Sequence, residues 1–562
     1  MKAETNYDAI VIGSGMTGGW AAKELTEKGL KTLVLEAGRP TVPEEDYVEH
    51  VAPWEMKFRG ARDRHHQRED QPIQGTCYAC DEWSAKFFVS DKENPYTTAP
   101  GKPFRWIRGR QVGGRSITWG RQVYRWSDLD FEANLQQGIA IDWPIRYADV
   151  APWYDYVEDF IGITGEALGL PQLPDSKFLP AMAMNCTEMA VRDSLAKHFG
   201  GERVMTIGRA AVLTKDHGGR AACHYCGPCE RGCITRSYFS SVNATLPAAE
   251  KTGRMTLRPH SVVHSLIFDP RTRRVSGVRV LDAQTRAPLE FHAKVIFLCA
   301  SALESVRILL NSSTPEFSGG LANSSDELGH NLMDHVKDGG ATGMIPGHED
   351  RIVLGRRPNG IYVPRFRNVK TKQVEFLRGY GFQGGAHREG WQRGIAQTGF
   401  GAEFKKATSK PGPWQFTFSG FGECLPNHNN FVEIDKEKVD AWGIPVLKIH
   451  SEWSDNERAL RKDMAMAAAE MLAAAGARDI EPFADDSPPG FCIHEMGTAR
   501  MGRDPKTSVL NSYNQAHDVK NLFITDGGAM VSSSCVNPSL TYMALTARAC
   551  DYAVEQMKKG EI

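Results

Sequence analysis

Cys223, Cys226, Cys229 and Cys233 form a C-x2-C-x2-C-x3-C run, the densest group of soft ligands in a chain of 562 residues with only twelve cysteines. Thiolates at these intervals fall on one compact loop, and Gly227, Pro228 and Gly232 supply its turns. Three chemistries suit that arrangement. An iron–sulfur cluster is the first, because clusters are held by thiolates at such spacings. Structural zinc is the second, with His224 as an added ligand. Disulfides are the third, although the cysteines are too sparse for a disulfide scaffold and their clustering argues for cofactor chemistry. Cys77-x-x-Cys80 reads more blandly, as small buried residues or a local disulfide, and His65-His66 as a solvated loop pair.

Bacterial ferredoxins use the same run, but there the fourth cysteine ligates a second cluster, and only one run exists here. The loop is therefore expected to give three ligands to a [3Fe–4S] cluster, or four with local rearrangement. The elements that must position such chemistry begin at Tyr7. Ala9 to Ile12 is an apolar run with the length of a buried strand. It stops at Gly13-Ser-Gly15-Met-Thr-Gly18, and Trp20, Ala21, Leu25 and Leu30 follow at helical spacing. A second run, Thr32 to Leu35, ends on Glu36. In a βαβ unit that grips a dinucleotide, Gly13 makes the tight turn and Gly15 lets the backbone approach a pyrophosphate. Gly18 lets helix and strand pack closely, and the helix N-terminus offers N–H groups to the phosphates. Glu36 can accept hydrogen bonds from ribose hydroxyls and would repel a 2′-phosphate, which disfavours NADP.

A second glycine-rich segment, Gly109 to Gly120, has glycines at 109, 113, 114 and 120. That suits a backbone passing close to a flat ligand or turning sharply. Two such segments with one dinucleotide unit imply a cofactor larger than NAD, with a ring system that needs its own cradle. FAD fits. Gly113, Gly114, Ser116 and Thr118 of the cradle, with Val263, Asp526, Gly527 and Asn537 farther on, complete the expected cofactor contacts.

The predicted fold is α/β: a discontinuous Rossmann-like FAD-binding domain with a second, sheet-containing substrate domain. Residues 1–343 form the first part of the FAD-binding domain and carry the cysteine loop at about 220–236. Helices are expected over 143–163 and 189–199, a hairpin turns at Asp269-Pro270-Arg271, and a strand at Lys294–Leu298 leads to a helix at Ser301–Asn311. Residues 344–485 read as the substrate domain, with strand-like runs at Ile352-Val-Leu, Gly360–Val363, Trp414–Phe418, Phe431–Ile434 and Val446–His450. Residues 486–562 return to the first domain: Asn521-Leu-Phe-Ile-Thr-Asp526-Gly-Gly is a strand ending in an acid and glycines, with Leu540–Met557 as the final helix.

A formal net charge of −1 gives no reason to expect nucleic acid as a partner. The content of 41% apolar and 24% charged residues is that of an ordinary globular protein. No apolar run suits a bilayer span; Met464 to Ala477 is interrupted by Glu470 and reads as a helix. The N-terminus enters its first strand within about six residues, leaving no room for a cleavable signal peptide. The chain is then either cytoplasmic or exported folded beside a partner that carries the signal.

Tyr7–Gly38, Gly109–Gly120, Leu328-Gly-His-Asn-Leu-Met-Asp-His335, His494-Glu-Met-Gly-Thr-Ala-Arg-Met-Gly502 and Asn521–Pro538 resemble successive landmarks of the glucose-methanol-choline oxidoreductases, in that family's order. The resemblance spans the chain and implies FAD, a two-domain fold and oxidation of an alcohol. It makes His494 the catalytic base and Asn537 its partner, where relatives carry His or Asn. Alcohol oxidation needs those roles: a base for the hydroxyl proton, a group to orient the oxygen, and a flavin to take the hydride. Imidazole has a suitable pKa, and an amide can orient but cannot act as base. Relatives with covalent flavin carry a histidine in the second glycine-rich segment. Thr118 stands in that place, so the FAD is expected to be non-covalent.

The cysteine run makes the chain most similar to the cluster-bearing sugar dehydrogenases of this family. Those are bacterial catalytic subunits that work with a small subunit and a cytochrome c. An oxidase hands electrons to oxygen and needs no cluster, whereas a dehydrogenase serving a one-electron protein acceptor does. The implied partners are a carbohydrate substrate, a small subunit supplying the export signal, and a cytochrome c-type acceptor, with a periplasmic location. Tyr238-Phe-Ser-Ser and Gly422-Glu-Cys-Leu-Pro look most like glucoside 3-dehydrogenases. Aldose 1-dehydrogenase, gluconate or fructose dehydrogenase, and an oxygen-using oxidase with a structural cysteine loop are the alternatives.

Overall fold

The computed structural model describes residues 6–52, 54–56, 69–353, 355–370, 372, 375–390, 393–394 and 397–562; His65-His66 lies outside the described residues. Its first sheet starts from the apolar run at the N-terminus. β1 (Asn6–Ile12) pairs in parallel with β2 (Thr32–Leu35), Ala9 opposite Thr32 and Ile12 opposite Leu35. Ala9, Ile10 and Val11 are wholly buried, as a strand covered on both faces must be. α1 (Met16–Glu27) crosses between them and buries Trp20, Ala21, Ala22 and Leu25. β5 (Met255–Arg258) flanks β2, and β8 (Pro288–Leu298) flanks β1, again in parallel.

β8 serves two pairings in succession. Its first half is antiparallel to β7 (Arg274–Asp282), which turns back on β6 (Ser261–Asp269). Its second half lies between β1 and β16 (Leu522–Ile524), with Leu522 opposite Ile296 and Ile524 opposite Leu298. The C-terminal segment therefore rejoins the first sheet, and the dinucleotide fold is discontinuous in sequence. The expected helices form as α2 (Tyr147–Ile161), α3 (Cys186–Phe199), α4 (Ala302–Leu310), α5 (Asp455–Ala474) and α6 (Ser539–Lys558).

The second sheet is antiparallel throughout, in the order β15 (Arg478–Ala484), β9 (Gly339–Ile345), β12 (Trp414–Gly422), β11 (Tyr380–Arg388), β10 (Ile361–Val363) and β4 (Thr206–Ile207). It takes strands from both sides of residue 344. Ser454 caps α5, accepting from the Asn456 N–H at 3.2 Å, and the helix buries Leu460, Met464, Ala468 and Met471. A small third sheet joins β13 (Phe431–Val439), β14 (Pro445–His450) and β3 (Thr97–Thr98). The strand expected at Ile352-Val-Leu does not form at its described residues: Ile352 and Val353 pair with no neighbour and are 64% and 55% exposed, and Leu354 is outside the described residues. One apolar core contains Ile10, Leu33 and Ile296 of the first sheet together with Phe382, Phe416 and Phe418 of the second. The two sheets thus hold the walls between them in fixed register.

Candidate active site

A cavity of about 340 Å³ opens at the carboxyl ends of β1 and β2, the place where open α/β sheets bind ligands. Gly13, Gly15, Glu36, Gly114, Ser116, Thr118, Val263, Asp526, Gly527, His494 and Asn537 all line it. Gly13 and Gly18 are dictated by packing of α1 on the sheet. A Cβ on Gly13, whose φ is +96°, would lie 2.5 Å from the Cys299 carbonyl oxygen, and one on Gly18 only 1.9 Å from that of Gly13. Gly15 differs: a Cβ there would meet no protein atom nearer than 3.9 Å, so its bareness leaves backbone open to the cavity.

Ser14, which sequence reasoning passed over, ties the two glycine segments together. Its hydroxyl donates to Glu36 Oε2 at 2.6 Å and accepts from the Gly113 N–H at 3.0 Å. Gly113, at φ +96°, stands behind the cavity wall, where a Cβ would lie 2.5 Å from Val242. Ser116 donates to the Gly113 carbonyl at 2.6 Å. Burial pushes the Glu36 carboxyl up, opposed by hydrogen bonds from Ser14 and Gly38. Asp526 is raised to about 6, also by burial. Several buried polar atoms of lining residues have no partner in the protein: Arg108 Nε, Arg110 Nη2, Glu495 Oε1 and Tyr542 OH. Unpaired buried groups are costly, so the wall fits a long polar ligand with its own donors and acceptors. A dinucleotide such as FAD fits.

His494 sits in the same cavity, its backbone held by a carboxylate. The N–H groups of His335, Cys492 and His494 donate to Asp334 at 2.8, 3.0 and 3.0 Å. Burial, reinforced by Glu495, raises Asp334 to about 7 against those bonds. His335 is completely buried, and its Nε2 lies 2.9 Å from the Ser533 carbonyl oxygen. A carbonyl only accepts, so Nε2 carries the proton; burial lowers this ring to about 4 and keeps it neutral. Its Nδ1 is then a bare acceptor, 2.9 Å from His494 Nδ1, which must be the donor. The lone pair of His494 is thereby placed on Nε2, the nitrogen left for the cavity. Burial first, then His335, Arg115 and Lys337, push His494 well below its ordinary value, so the ring stays a neutral base.

Asn537 has a partner from the second sheet. Gln383, on β11, donates to Asn537 Oδ1 at 2.6 Å, which leaves the Asn537 amide N–H group to orient a substrate oxygen. Both residues line the cavity. Neither His335 nor Gln383 was assigned a role from sequence. His335 closes the Leu328–His335 motif and could have been suspected there; nothing local marks Gln383.

The sequence profile described as GMC oxidoreductase matches residues 7–337, and a second profile of that description matches residues 426–546. This chain belongs to the GMC oxidoreductases. It is an FAD-dependent enzyme that oxidises CH–OH groups. 2-Methyl-1,2-propanediol dehydrogenase of Mycolicibacterium austroafricanum is 29% identical, across 97% of this chain and 94% of the relative. The fructose dehydrogenase large subunit of Gluconobacter japonicus is 26% identical over the whole of both chains. The gluconate 2-dehydrogenase flavoprotein of Pantoea cypripedii is 23% identical, across 98% and 94%. Among solved structures, pyridoxine 4-oxidase from Mesorbium loti superposes with a TM-score of 0.63 at 17% identity, covering 97% and 98% of the two chains. That likeness shows the shared fold.

The cysteine loop of this GMC oxidoreductase lies outside the cavity. Cys223, Cys229 and Cys233 pack against Met182, Ile207, Ala210, Val212 and Tyr238, while Cys226 is exposed; none of the four is in a disulfide. Gly227 and Gly232 turn the loop at φ +113° and +111°, and Arg231 anchors it to Asp81 at 2.7 Å. Cys233 is near enough to raise the pKa of Cys223 and Cys229, and Cys226 reaches about 12 through burial first and Cys229 next. No three of their sulfurs lie within 4.8 Å of one another. Four thiolates on one zinc ion would stand roughly 3.8 Å apart, given a Zn–S bond of about 2.3 Å. The loop's thiols are therefore not gathered at the spacing of one zinc ion, and they form no compact cluster of ligands. Between loop and cavity stand Tyr238, which donates to the Ile117 carbonyl at 2.6 Å, and the cavity-lining Arg121, whose guanidinium is 5.6 Å from the Tyr238 ring centroid.

Proposed function

We propose that this enzyme is a sugar dehydrogenase that oxidises a carbohydrate hydroxyl, C3 of a glucoside in the first instance. The observation that carries the reading is that His494 and Asn537 line one and the same cavity. His494 Nε2 takes the hydroxyl proton, and the Asn537 N–H group holds the oxygen as charge develops on it. FAD, when bound, supplies the hydride acceptor. Gly15, Gly114 and Ser116 would lie along it, and Thr118 offers no imidazole for a covalent bond, so its binding is reversible. Relatives named for fructose and gluconate support a carbohydrate substrate.

The second half of the proposal concerns where electrons go. Cys223, Cys229 and Cys233, the three half-buried thiols, would hold a [3Fe–4S] cluster, with Cys226 as a fourth ligand after rearrangement. Such a cluster supplies one-electron transfer to a cytochrome c-type acceptor. A relative described as a large subunit supports a partner subunit, and export beside it would place the enzyme in the periplasm. No described helix is long and apolar enough to cross a membrane.

Anaerobic titration of the purified protein with methyl glucoside, glucose, gluconate and fructose, with product analysis, tests the substrate reading. Bleaching of the flavin by methyl glucoside with a 3-keto product is expected; bleaching by none of the four would sink it. Iron content and the ratio of cytochrome to dye turnover test the relay. Protein that holds zinc and turns over fully with oxygen would favour the oxidase.

A further inference from the structure

His335, Cys492 and His494 form, among the described residues, the one group of three whose ligating atoms all lie within 4.8 Å of one another. His494 Nδ1 is 2.9 Å from His335 Nδ1 and 3.5 Å from Cys492 Sγ. A tetrahedral ion with bonds of about 2.0–2.1 Å to nitrogen and about 2.3 Å to sulfur separates its ligands by roughly 3.3–3.7 Å. Both measured separations are within about half an ångström of that range. Histidines that bind metals usually donate their other ring N–H to a carboxylate or backbone carbonyl. His335 already does so, to Ser533 at 2.9 Å. The three backbones are tied to one carboxylate, Asp334, which fixes their mutual placement. Cys492 and His494 line the cavity, which gives an ion a way in and leaves a fourth position open.

We propose that His335, Cys492 and His494 are a binding site for a thiophilic divalent cation of the zinc and cadmium class, and that filling it switches off His494 as base. Two imidazoles and a thiolate are the donor set such ions prefer. Burial keeps the Cys492 thiol protonated until an ion coordinates it and displaces that proton to solvent. The ion takes the lone pairs on both Nδ1 atoms, so the proton of His494 Nδ1 must move to Nε2. One proton is released per ion bound, and no electron is transferred. His494 then presents an N–H to the substrate where it had a lone pair. Asn537 and the rest of the sugar-binding wall are untouched, so the loss falls on kcat more than on KM.

The switch rests on His494 being the base; the binding of the ion does not. The experiment adds cadmium chloride to chelator-treated holoenzyme and follows two signals. One is the ultraviolet thiolate-to-cadmium absorption, and the other is the limiting rate of anaerobic flavin bleaching by sugar. At saturation that rate should fall by about 10²–10⁴-fold with KM nearly unchanged, and EDTA should restore it. Cys492→Ser should raise the half-inhibitory cadmium concentration about tenfold or more, relative to its own uninhibited rate. It should also remove part of the thiolate absorption that the intact cysteine loop cannot account for. Should Cys492→Ser not yield holoenzyme, His335→Asn carries the same test, since an amide oxygen replaces one imidazole ligand. Equal cadmium sensitivity of variant and wild type, with no difference in thiolate absorption, would overturn the site. Absorption that depends on Cys492 without loss of bleaching would overturn the switch and remove His494 as base, leaving the ion's binding intact.

Discussion

On the cradle wall, Gly13 and Gly18 are glycines because backbone just past β8 and the turn itself occupy the space a side chain would need. On the histidine wall Gly497 and Gly527 are as tightly fixed, but the side chains that face the cavity are placed differently. The chemistry proposed for His494 and Asn537 rests on hydrogen bonds, from His494 to the His335 ring and from Gln383 to Asn537. Steric exclusion by a backbone oxygen has no graded response, since these oxygens sit just past the ends of β1 and β8 and cannot move without those strands. A hydrogen bond can be lost, kept or replaced one atom at a time. Damage to the first wall should therefore be all-or-none and felt in folding, and damage to the second should be graded and felt in rate.

The largest effect should come from Gly18→Ala. Its Cβ would lie 1.9 Å from the Gly13 carbonyl oxygen, and overpacking of this kind costs about 3 kcal/mol or more. Little folded holoenzyme is expected by expression yield and thermal unfolding. Gly15→Ala sharpens the comparison, because its nearest protein atom is 3.9 Å away. That variant should fold with an unchanged melting temperature when FAD is absent, yet bind FAD more weakly by fluorescence titration. A Gly15→Ala protein as unstable as Gly18→Ala would show that both glycines answer to packing alone.

Next in size is His494→Ala. The variant should retain FAD, and the limiting rate of anaerobic bleaching should fall by about 10²–10⁴-fold. An unchanged rate would take His494 out of the chemistry. A smaller loss is expected for His335→Leu. Leucine and asparagine have nearly the same shape, but only asparagine offers an acceptor near the place of His335 Nδ1. Leaving the His494 N–H only the weak acceptor Cys492 Sγ, at 3.5 Å, costs about 1–3 kcal/mol, roughly 10–100-fold if it appears in the rate. His335→Asn should recover most of that. Equal rates for the two variants would mean that His335 fills space and does not set the proton's position.

How much of this was legible in the sequence follows the same division. The parallel strands announced themselves through unbroken apolar runs, and the steric glycines through their fixed intervals. The antiparallel sheet was harder. β9 contains Gly339, Gly340 and Gly343, and β11 contains Gly381, Gly384 and Gly385, so both look like loops. Their glycines serve close strand packing: a Cβ on Gly340 would lie 2.1 Å from the Phe418 carbonyl oxygen, and one on Gly384 1.9 Å from that of Thr417. Ile352 and Val353, apolar and β-branched, were the opposite error, since both are exposed and unpaired. Of the site, His494 and Asn537 were visible in their motifs. Their partners were not, because a hydrogen bond between residues 159 or 154 positions apart leaves no trace in local spacing.

Gln383 should give the smallest change and the finest test of the comparison. It touches Asn537 from β11, a strand of the second sheet, so it carries orientation across the interface between the two layers. With its donor gone, Asn537 Oδ1 has no reason to point away from the cavity, and the amide can turn to present an acceptor to the substrate oxygen. That costs part of one hydrogen bond in the transition state, about 1 kcal/mol or roughly fivefold in kcat/KM. Gln383→Leu should show that loss, while Gln383→Glu should do worse than Leu, because a carboxylate acceptor would draw the Asn537 N–H group to itself. The pairing should leave His494 alone, so the double variant Gln383→Leu with His335→Leu should lose the product of the single effects. A loss that is far from multiplicative would mean that the two hydrogen bonds act as one network, and that the histidine wall responds as a unit as the glycine wall does.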